Sequence, residues 1–172
     1  VKRTGEREEV SFDKISRRIK YLSLHPTELK VNVFDLSQLV IKEIKPDITT
    51  KDNDAISCDI SIGHLTEHPD YETLATRIAV SNHHKNTKDC FSDTMEVLYR
   101  NKYNGKHAPK ISTTLYKMIQ KNKKVLNDMV VYSRDNRFNY FGLSTLLQKY
   151  LLKVDGYAVE RPQDMWLRVA IA

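Results

Sequence analysis

Residues 1–15 read Val1-Lys2-Arg3-Thr4-Gly5-Glu6-Arg7-Glu8-Glu9-Val10-Ser11-Phe12-Asp13-Lys14-Ile15. Val1–Arg3 and Glu8–Val10 have the residues of two short strands, and Gly5 supplies the turn between them. Phe12 then leads into a helix. Asp13 sits in its first turn, where a carboxylate meets the positive end of the helix dipole. Ile15, Ile19 and Leu22 follow at i, i+4 and i+7, one apolar face. A basic hairpin set directly before a charged amphipathic helix can grip a polyphosphate.

Working outward, Pro26 ends that helix at about Leu24. A second helix, capped near Asp35, carries Leu36, Leu39, Val40 and Ile44 on one face and stops at Pro46. A third opens at Thr49 or Thr50, both good caps, with Ala55, Cys58, Ile62 and Leu65 predicted inward. His68-Pro69-Asp70 starts a fourth, which buries Leu74, Ala75, Ile78 and Ala79 and runs toward Lys85. The first roughly 90 residues are thus a hairpin and four helices, enough for one small domain. The second half is also mostly helical: Phe91–Tyr99, a loop at Asn104-Gly105 and Pro109, a helix capped by Ser112, then Val125–Val131. Tyr132–Tyr140 is an aromatic and arginine-rich connector, and Leu143–Leu152 is apolar enough for core. Val154-Asp155-Gly156-Tyr157 is a hairpin turn by its Asp-Gly pair, and a last helix begins at about Gln163. The class is mainly α (α+β).

A chain of 172 residues holds one medium domain or two small units. Its formal charge of +6 and pI near 9.2 attract phosphates in general. Acids are interleaved throughout, however, and the dense run Lys121-Asn122-Lys123-Lys124 suits a solvated helix end. Two cysteines, Cys58 and Cys90, cannot make a disulfide framework or a four-ligand zinc site, which points to a reducing, cytoplasmic compartment. No apolar run is long enough to span a membrane. The absence of a Met at residue 1 and of a leader segment points to a piece of a longer chain. Neither G-x-x-x-x-G-K-[ST] nor G-x-G-x-x-G occurs. His64 and His68 are i, i+4 neighbours without a third ligand at metal spacing, and no nucleophile–base pair stands out.

The remaining chemistry is a phosphate grip. Lys2, Arg3, Lys14 and Lys85 supply cations. Thr50 supplies a hydroxyl and a helix cap, where free backbone N–H groups favour an anion. Glu8 and Asp54 are suited to accept from a base amine or a ribose hydroxyl. Solvated hairpin and helix-end charges are the alternative reading of the same residues.

The segments V-K-R-T-G-x-R-E-x-V-x-F-D-K-I, I-T-T-x-x-x-D, H-P-D-Y-x-x-L-A-x-R-I-A-V-S-N-x-H-K-x-T-K and F-S-D-x-M-E-x-L-Y go further. Together with Asn139-Tyr140-Phe141-Gly142 and Tyr150 to Gln163, they resemble the ATP-cone and following region of class I ribonucleotide reductase large subunits. The resemblance implies an ATP-cone over residues 1–88, and over 89–172 the helical start of the catalytic subunit, whose ten-stranded α/β barrel would lie downstream. It implies ATP as activator and dATP as inhibitor, with Mg2+, bound by Lys2, Arg3, Glu8, Lys14, Ile15, Thr50, Asp54 and Lys85. It places Lys2, Arg3 and Lys85 toward phosphates and Asp54 toward the ribose. It further implies an oxidoreductase that works with a radical-generating small subunit and a homo-oligomer of large subunits, with no nucleic-acid or membrane partner. The family's catalytic cysteines are not in this chain, so the piece alone is expected to be inactive.

The chain departs from the family pattern at Thr4, at His83 (usually Leu), at Asp164 (usually His), at Trp166, and in the more polar run Lys51-Asp52-Asn53. Two other classes of protein fit the cone. One is a stand-alone nucleotide-sensing module. The other is a cone-bearing DNA-binding repressor, which carries a four-cysteine zinc ribbon that is missing here.

Overall fold

Helix α1 (Phe12–Leu24) begins where Asp13 occupies the first turn and ends just before Pro26. Its buried face is Ile15, Ile19 and Leu22, as the spacing predicts. One carbonyl left over at its end, Leu22 O, is taken by Arg77 at 2.9 Å, and the same guanidinium nitrogen donates to Thr27 O beyond the helix at 2.8 Å. Burial lowers the Arg77 guanidinium from its usual range. The computed structural model describes all residues except Arg3, Thr4 and Val10. Both arms of the expected N-terminal hairpin include one of these, so the strand assignment lies partly outside the described residues. What is described is a turn: Gly5 N–H donates to Lys2 O at 3.0 Å and Lys2 N–H to Glu6 O at 2.8 Å, with Gly5 at φ 85°.

Three further helices complete a compact unit over Val1–Asn82. Helix α2 (Val33–Lys42) is capped by Asn32, whose side chain accepts from Asp35 N, so the helix starts before the expected Asp35 cap. Helix α3 (Thr50–Gly63) is capped by Thr49, which accepts from Asp52 N at 3.0 Å. Helix α4 (Asp70–Lys85) buries Leu74, Ala75 and Ile78. The face of α3 differs from the expected one. Ala55 and Leu65 are exposed, and Asp54, Ser57, Cys58 and Ser61 turn inward. The serines satisfy themselves on their own helix, Ser57 Oγ on Asn53 O and Ser61 Oγ on Ser57 O. On the same face Cys58 meets α4, its Sγ 3.5 Å from Ala75 O. Burial pushes the Cys58 thiol up, consistent with a packing role.

Asp54 is 3% exposed and is held by Arg18, whose Nε and Nη2 meet its two oxygens at 2.6 and 2.9 Å. The same guanidinium reaches Ser81 Oγ on α4 at 3.4 Å.

The second unit, His83–Ala172, takes up the chain within the last turn of α4. Its core is Phe91, Met95 and Leu98 from α5 (Phe91–Tyr99), with Ile111, Ile119 from α6 (Thr113–Lys121) and Leu126 from α7 (Lys123–Met129). A 3-10 helix (Tyr132–Arg137) leads to α8 (Tyr140–Thr145), which continues as a single wider turn over Leu146–Tyr150. Two small antiparallel hairpins flank this region. Strands β3 (Lys153–Val154) and β4 (Tyr157–Ala158) pair around the Asp155-Gly156 turn, as the sequence predicts. Strands β1 (Lys102–Tyr103) and β2 (Lys106–His107) pair around Asn104-Gly105, where the sequence reads as a loop. All four of those strand residues are exposed, so no apolar alternation marks them.

Helix α9 (Pro162–Ile171) starts at a buried polar network. Asp164 accepts from Arg161 N at 3.0 Å and from Tyr132 Oη at 2.7 Å, while Arg161 stacks on the Tyr132 ring, 4.3 Å from its centroid. Glu160 receives Leu152 N and the Arg168 guanidinium. His83 Nε2 donates to Glu160 O at 2.7 Å. None of the described helices is long and apolar enough to cross a membrane.

Two groups of this network titrate in opposite senses. Burial lowers His83 to about 4 against the bond to Glu160, and burial raises Asp164 to about 6 against its two hydrogen bonds. Between those values the folded state lacks the proton His83 would bind when unfolded, so stability rises with pH. It keeps the proton Asp164 would lose, so stability falls with pH. The two slopes cancel, and the unit is expected to unfold in urea at a nearly constant midpoint across that interval. His83→Leu should uncover a midpoint that declines as pH rises. In the first unit, Arg18→Met is expected to cost about 3 kcal/mol in urea unfolding, and Arg18→Met with Asp54→Leu to cost less than Arg18→Met alone.

Candidate functional site

The start of α1, the start of α3 and the N-terminal arm converge on one cavity of about 130 Å³ within the first unit. The arm is clipped to α3 by its backbone: Val1 N donates to Ile48 O at 2.6 Å and Thr50 N–H donates to Val1 O at 3.0 Å. Ile15, Ile44 and Ile48 give the wall apolar faces, and Lys2, Glu8 and Lys14 supply its charges. Five of the eight residues singled out from the sequence therefore line one space: Lys2, Glu8, Lys14, Ile15 and Thr50. Two wider hollows, along α1 and α2 and beside α5, contain none of the eight.

The charges are paired across the cavity. Glu8 lies between two ammonium groups, with Lys2 Nζ 3.0 Å from Oε2 and Lys14 Nζ hydrogen-bonded to Oε1. Lys2 also reaches Glu6 at 3.2 Å. Lys14, and after it Lys2, holds the Glu8 carboxyl down at about 2, and the bond to Glu8 raises Lys2 above its ordinary value.

The other three residues fall elsewhere. Asp54 is not in the cavity wall; its carboxylate is turned inward onto Arg18. Arg3 lies outside the described residues. Lys85 is exposed in the last turn of α4. Thr50 lines the cavity but is the first residue of α3, and its N–H is taken by Val1. The histidines have local roles: His64 Nδ1 pairs with Glu67 at 2.8 Å, and His68 Nδ1 accepts from Asp70 N at 3.1 Å. Among the described residues no group of three His, Cys, Asp or Glu could hold a metal ion.

A family model described as the ribonucleotide reductase all-alpha domain matches residues 136–172. The chain is 44% identical to the ribonucleoside-diphosphate reductase large subunit of Vaccinia virus (strain Copenhagen) over 99% of its own length and 22% of that protein. It is 41% identical to large chain 2 of the Saccharomyces cerevisiae enzyme, covering 20% of it, and 41% identical to the Danio rerio large subunit, covering 22%. The chain belongs to the ribonucleotide reductase large-subunit family, in its N-terminal region. It spans about a fifth of the length of the curated relatives it matches.

Within this large-subunit N-terminal region, the wall also holds Ile44, Ile48 and Asn53, which the sequence reading did not count among the site residues, and Thr49, which it read as a helix cap. Helical spacing carried a signal for Asn53, which is three positions after Thr50 and so shares its face of α3. Ile44 was expected on the inner face of the second helix, which ends earlier, at Lys42, and Ile48 lies beyond Pro46, where no periodicity points.

The mesh around Glu8 fixes a pH response. A carboxyl held below its ordinary value contributes stability above that value and loses it as pH falls toward 2. The Glu8 side-chain carboxyl is expected to titrate by NMR with a midpoint well below the ordinary glutamate range. Lys14→Met should move that midpoint back toward the ordinary range; an unchanged midpoint would show that Lys14 does not hold it.

Proposed function

We propose that this region binds ATP or dATP as an allosteric effector in the cavity at the start of α1 and α3. The observation that carries the reading is the gathering of Lys2, Glu8, Lys14, Ile15 and Thr50, distant in sequence, around one space. An adenine nucleotide needs apolar faces for its base, cations for its phosphates and acceptors for its polar edges. The cavity wall holds all three. Lys2 and Lys14 are solvent-facing ammonium groups suited to a triphosphate. Mg2+ would travel with the triphosphate, held by phosphate oxygens and water, since the cation favours few protein ligands. Lacking a Walker-type loop, the site binds without hydrolysing.

The effector would control a ribonucleoside-diphosphate reductase, the name carried by the relatives. That enzyme would use a large-subunit oligomer, a radical-generating small subunit and cysteines outside residues 1–172 to make deoxyribonucleotides for DNA synthesis. Cys58 is packed against α4 and Cys90 stands at the start of α5, so neither takes part.

Titration calorimetry with ATP and dATP tests the proposal directly. Micromolar-to-millimolar binding is expected, with no release of inorganic phosphate. Lys2→Met and Lys14→Met should each weaken it about tenfold, the scale of one charge-assisted hydrogen bond. Absence of binding by either nucleotide at millimolar concentration would falsify it.

A further inference from the structure

We propose that the acid-free stretch from Val97 to Asn127 is a binding surface for single-stranded nucleic acid, its lysines meeting phosphates and Tyr103 stacking on a base. The charge of the chain is concentrated there. Between Glu96 and Asp128 there is no Asp or Glu and there are eight Lys or Arg, all exposed. The whole chain carries +6, so everything outside this stretch sums to −2. The stretch belongs to the second unit, whereas the effector cavity belongs to the first. The inference is therefore independent of the effector reading. It departs from the family-based expectation of no nucleic-acid partner.

Internal structure does not explain these cations. Arg100 is paired with Glu96 at 2.8 Å and Lys123 with Asp93 at 3.3 Å, whereas Lys102, Lys106, Lys110 and Lys117 meet no carboxylate among the described residues. Nor does the helix dipole account for the dense run at Lys121–Lys124. Lys121 sits in the last turn of α6, where a cation is favourable, but Lys123 and Lys124 open α7, where it is not. Like charges gathered without partners repel one another, and a polyanion laid over them offsets that cost. The nearest carboxylates bound the surface without interrupting it. Asp93 and Glu96 are already paired, Asp155 shares the hollow beside α5 with Arg100 and Lys102, and Asp128 follows on α7.

The rings narrow the class of anion. Tyr99 stacks on Tyr116 with 4.0 Å between centroids, and His107 meets Tyr99 edge-on at 5.2 Å, donating from Nε2 to Tyr99 O at 2.8 Å. This cluster fastens the β1–β2 hairpin to α6. A cation accompanies every ring: Arg100 follows Tyr99, Lys117 follows Tyr116, Lys102 pairs across the hairpin with His107, and Lys106 with Tyr103. Tyr103 itself stands 72% exposed on the hairpin. An acidic peptide would use the lysines and leave that ring idle. An unpaired base stacks on it, while in a duplex the base faces are already stacked on one another.

Fluorescence anisotropy of a labelled oligothymidylate of about 20 nucleotides, titrated with the 172-residue chain, tests this. Micromolar binding is expected at about 50 mM salt. Engagement of about four phosphates predicts a log–log salt slope near −3, or about a fiftyfold loss by about 200 mM. Lys106→Gln and Lys117→Gln should each reduce the slope by about 0.7. Tyr103→Ala should weaken binding about tenfold and leave the slope unchanged. All three side chains are exposed, so melting temperatures should match that of the unmodified chain. Lys14→Met and Lys20→Gln, which remove a charge outside the surface, should leave binding within about twofold. No binding at the lower salt overturns the proposal, as does a duplex bound as tightly. So does an equal response to Lys20→Gln and Lys117→Gln, which would make binding a property of net charge. Displacement of the oligonucleotide by polyglutamate of equal charge, with no effect of Tyr103→Ala, would overturn it in favour of an acidic protein segment.

Discussion

The bidentate pair of Arg18 with Asp54 sets the geometry on which the first unit depends. Burying a carboxylate costs several kcal/mol unless its oxygens are matched, and here both are, by one planar guanidinium. The pair fixes α1 against α3, and the contact with Ser81 brings in α4. Arg18 stands at the middle of α1 and Asp54 one turn into α3, and the cavity is lined by the first turns of the two helices. The N-terminal arm closes the open side by its backbone bonds to Ile48 and Thr50. The site is therefore a by-product of how a charge is buried one turn below it.

This explains where sequence reasoning reached and where it stopped. Lys2, Glu8, Lys14 and Thr50 were legible because they sit on an arm and at the starts of two helices, places where chain geometry leaves groups facing outward. Asp54 was not. Its i, i+4 spacing puts it on the same face of α3 as Thr50, and only the position of Arg18, on another helix, determines that it turns in. The same limit applies to α3. Pattern reading assigned its inner face to Ala55, Cys58, Ile62 and Leu65; Cys58 is buried, but Ala55 and Leu65 are exposed, and Ser57 and Ser61 are buried with their hydroxyls returned to their own helix. Hydrophobicity cannot register a polar residue that satisfies itself. Helix ends at Pro26, Thr49 and Ser112 were legible for the opposite reason, since capping is a local interaction. The hairpin at Asn104-Gly105 escaped because both of its strands lie in water.

The second unit shows the same economy with charge. Asp135 receives His84 and Gln163, Glu160 receives Arg168, and Asp164 receives Tyr132. Each buried carboxylate has a dedicated partner from another segment, and the aromatic and arginine-rich connector that looked irregular in sequence is a 3-10 helix tied to His84 and to α9. Arg161 contributes twice, by stacking on Tyr132 and by donating to Thr87 and to His84 O.

Glu8 gives the cavity a property that a bare cluster of lysines would lack. Because its carboxylate already occupies the two ammonium groups, an incoming anion must displace an internal rival before it gains anything. Simple phosphate, with nothing to offer the isoleucine faces, competes poorly on those terms. A larger anion that also buries a ring recovers the difference. On the proposed effector reading, the tethered glutamate would raise the concentration at which the site begins to fill and would disfavour small anions that bury no ring.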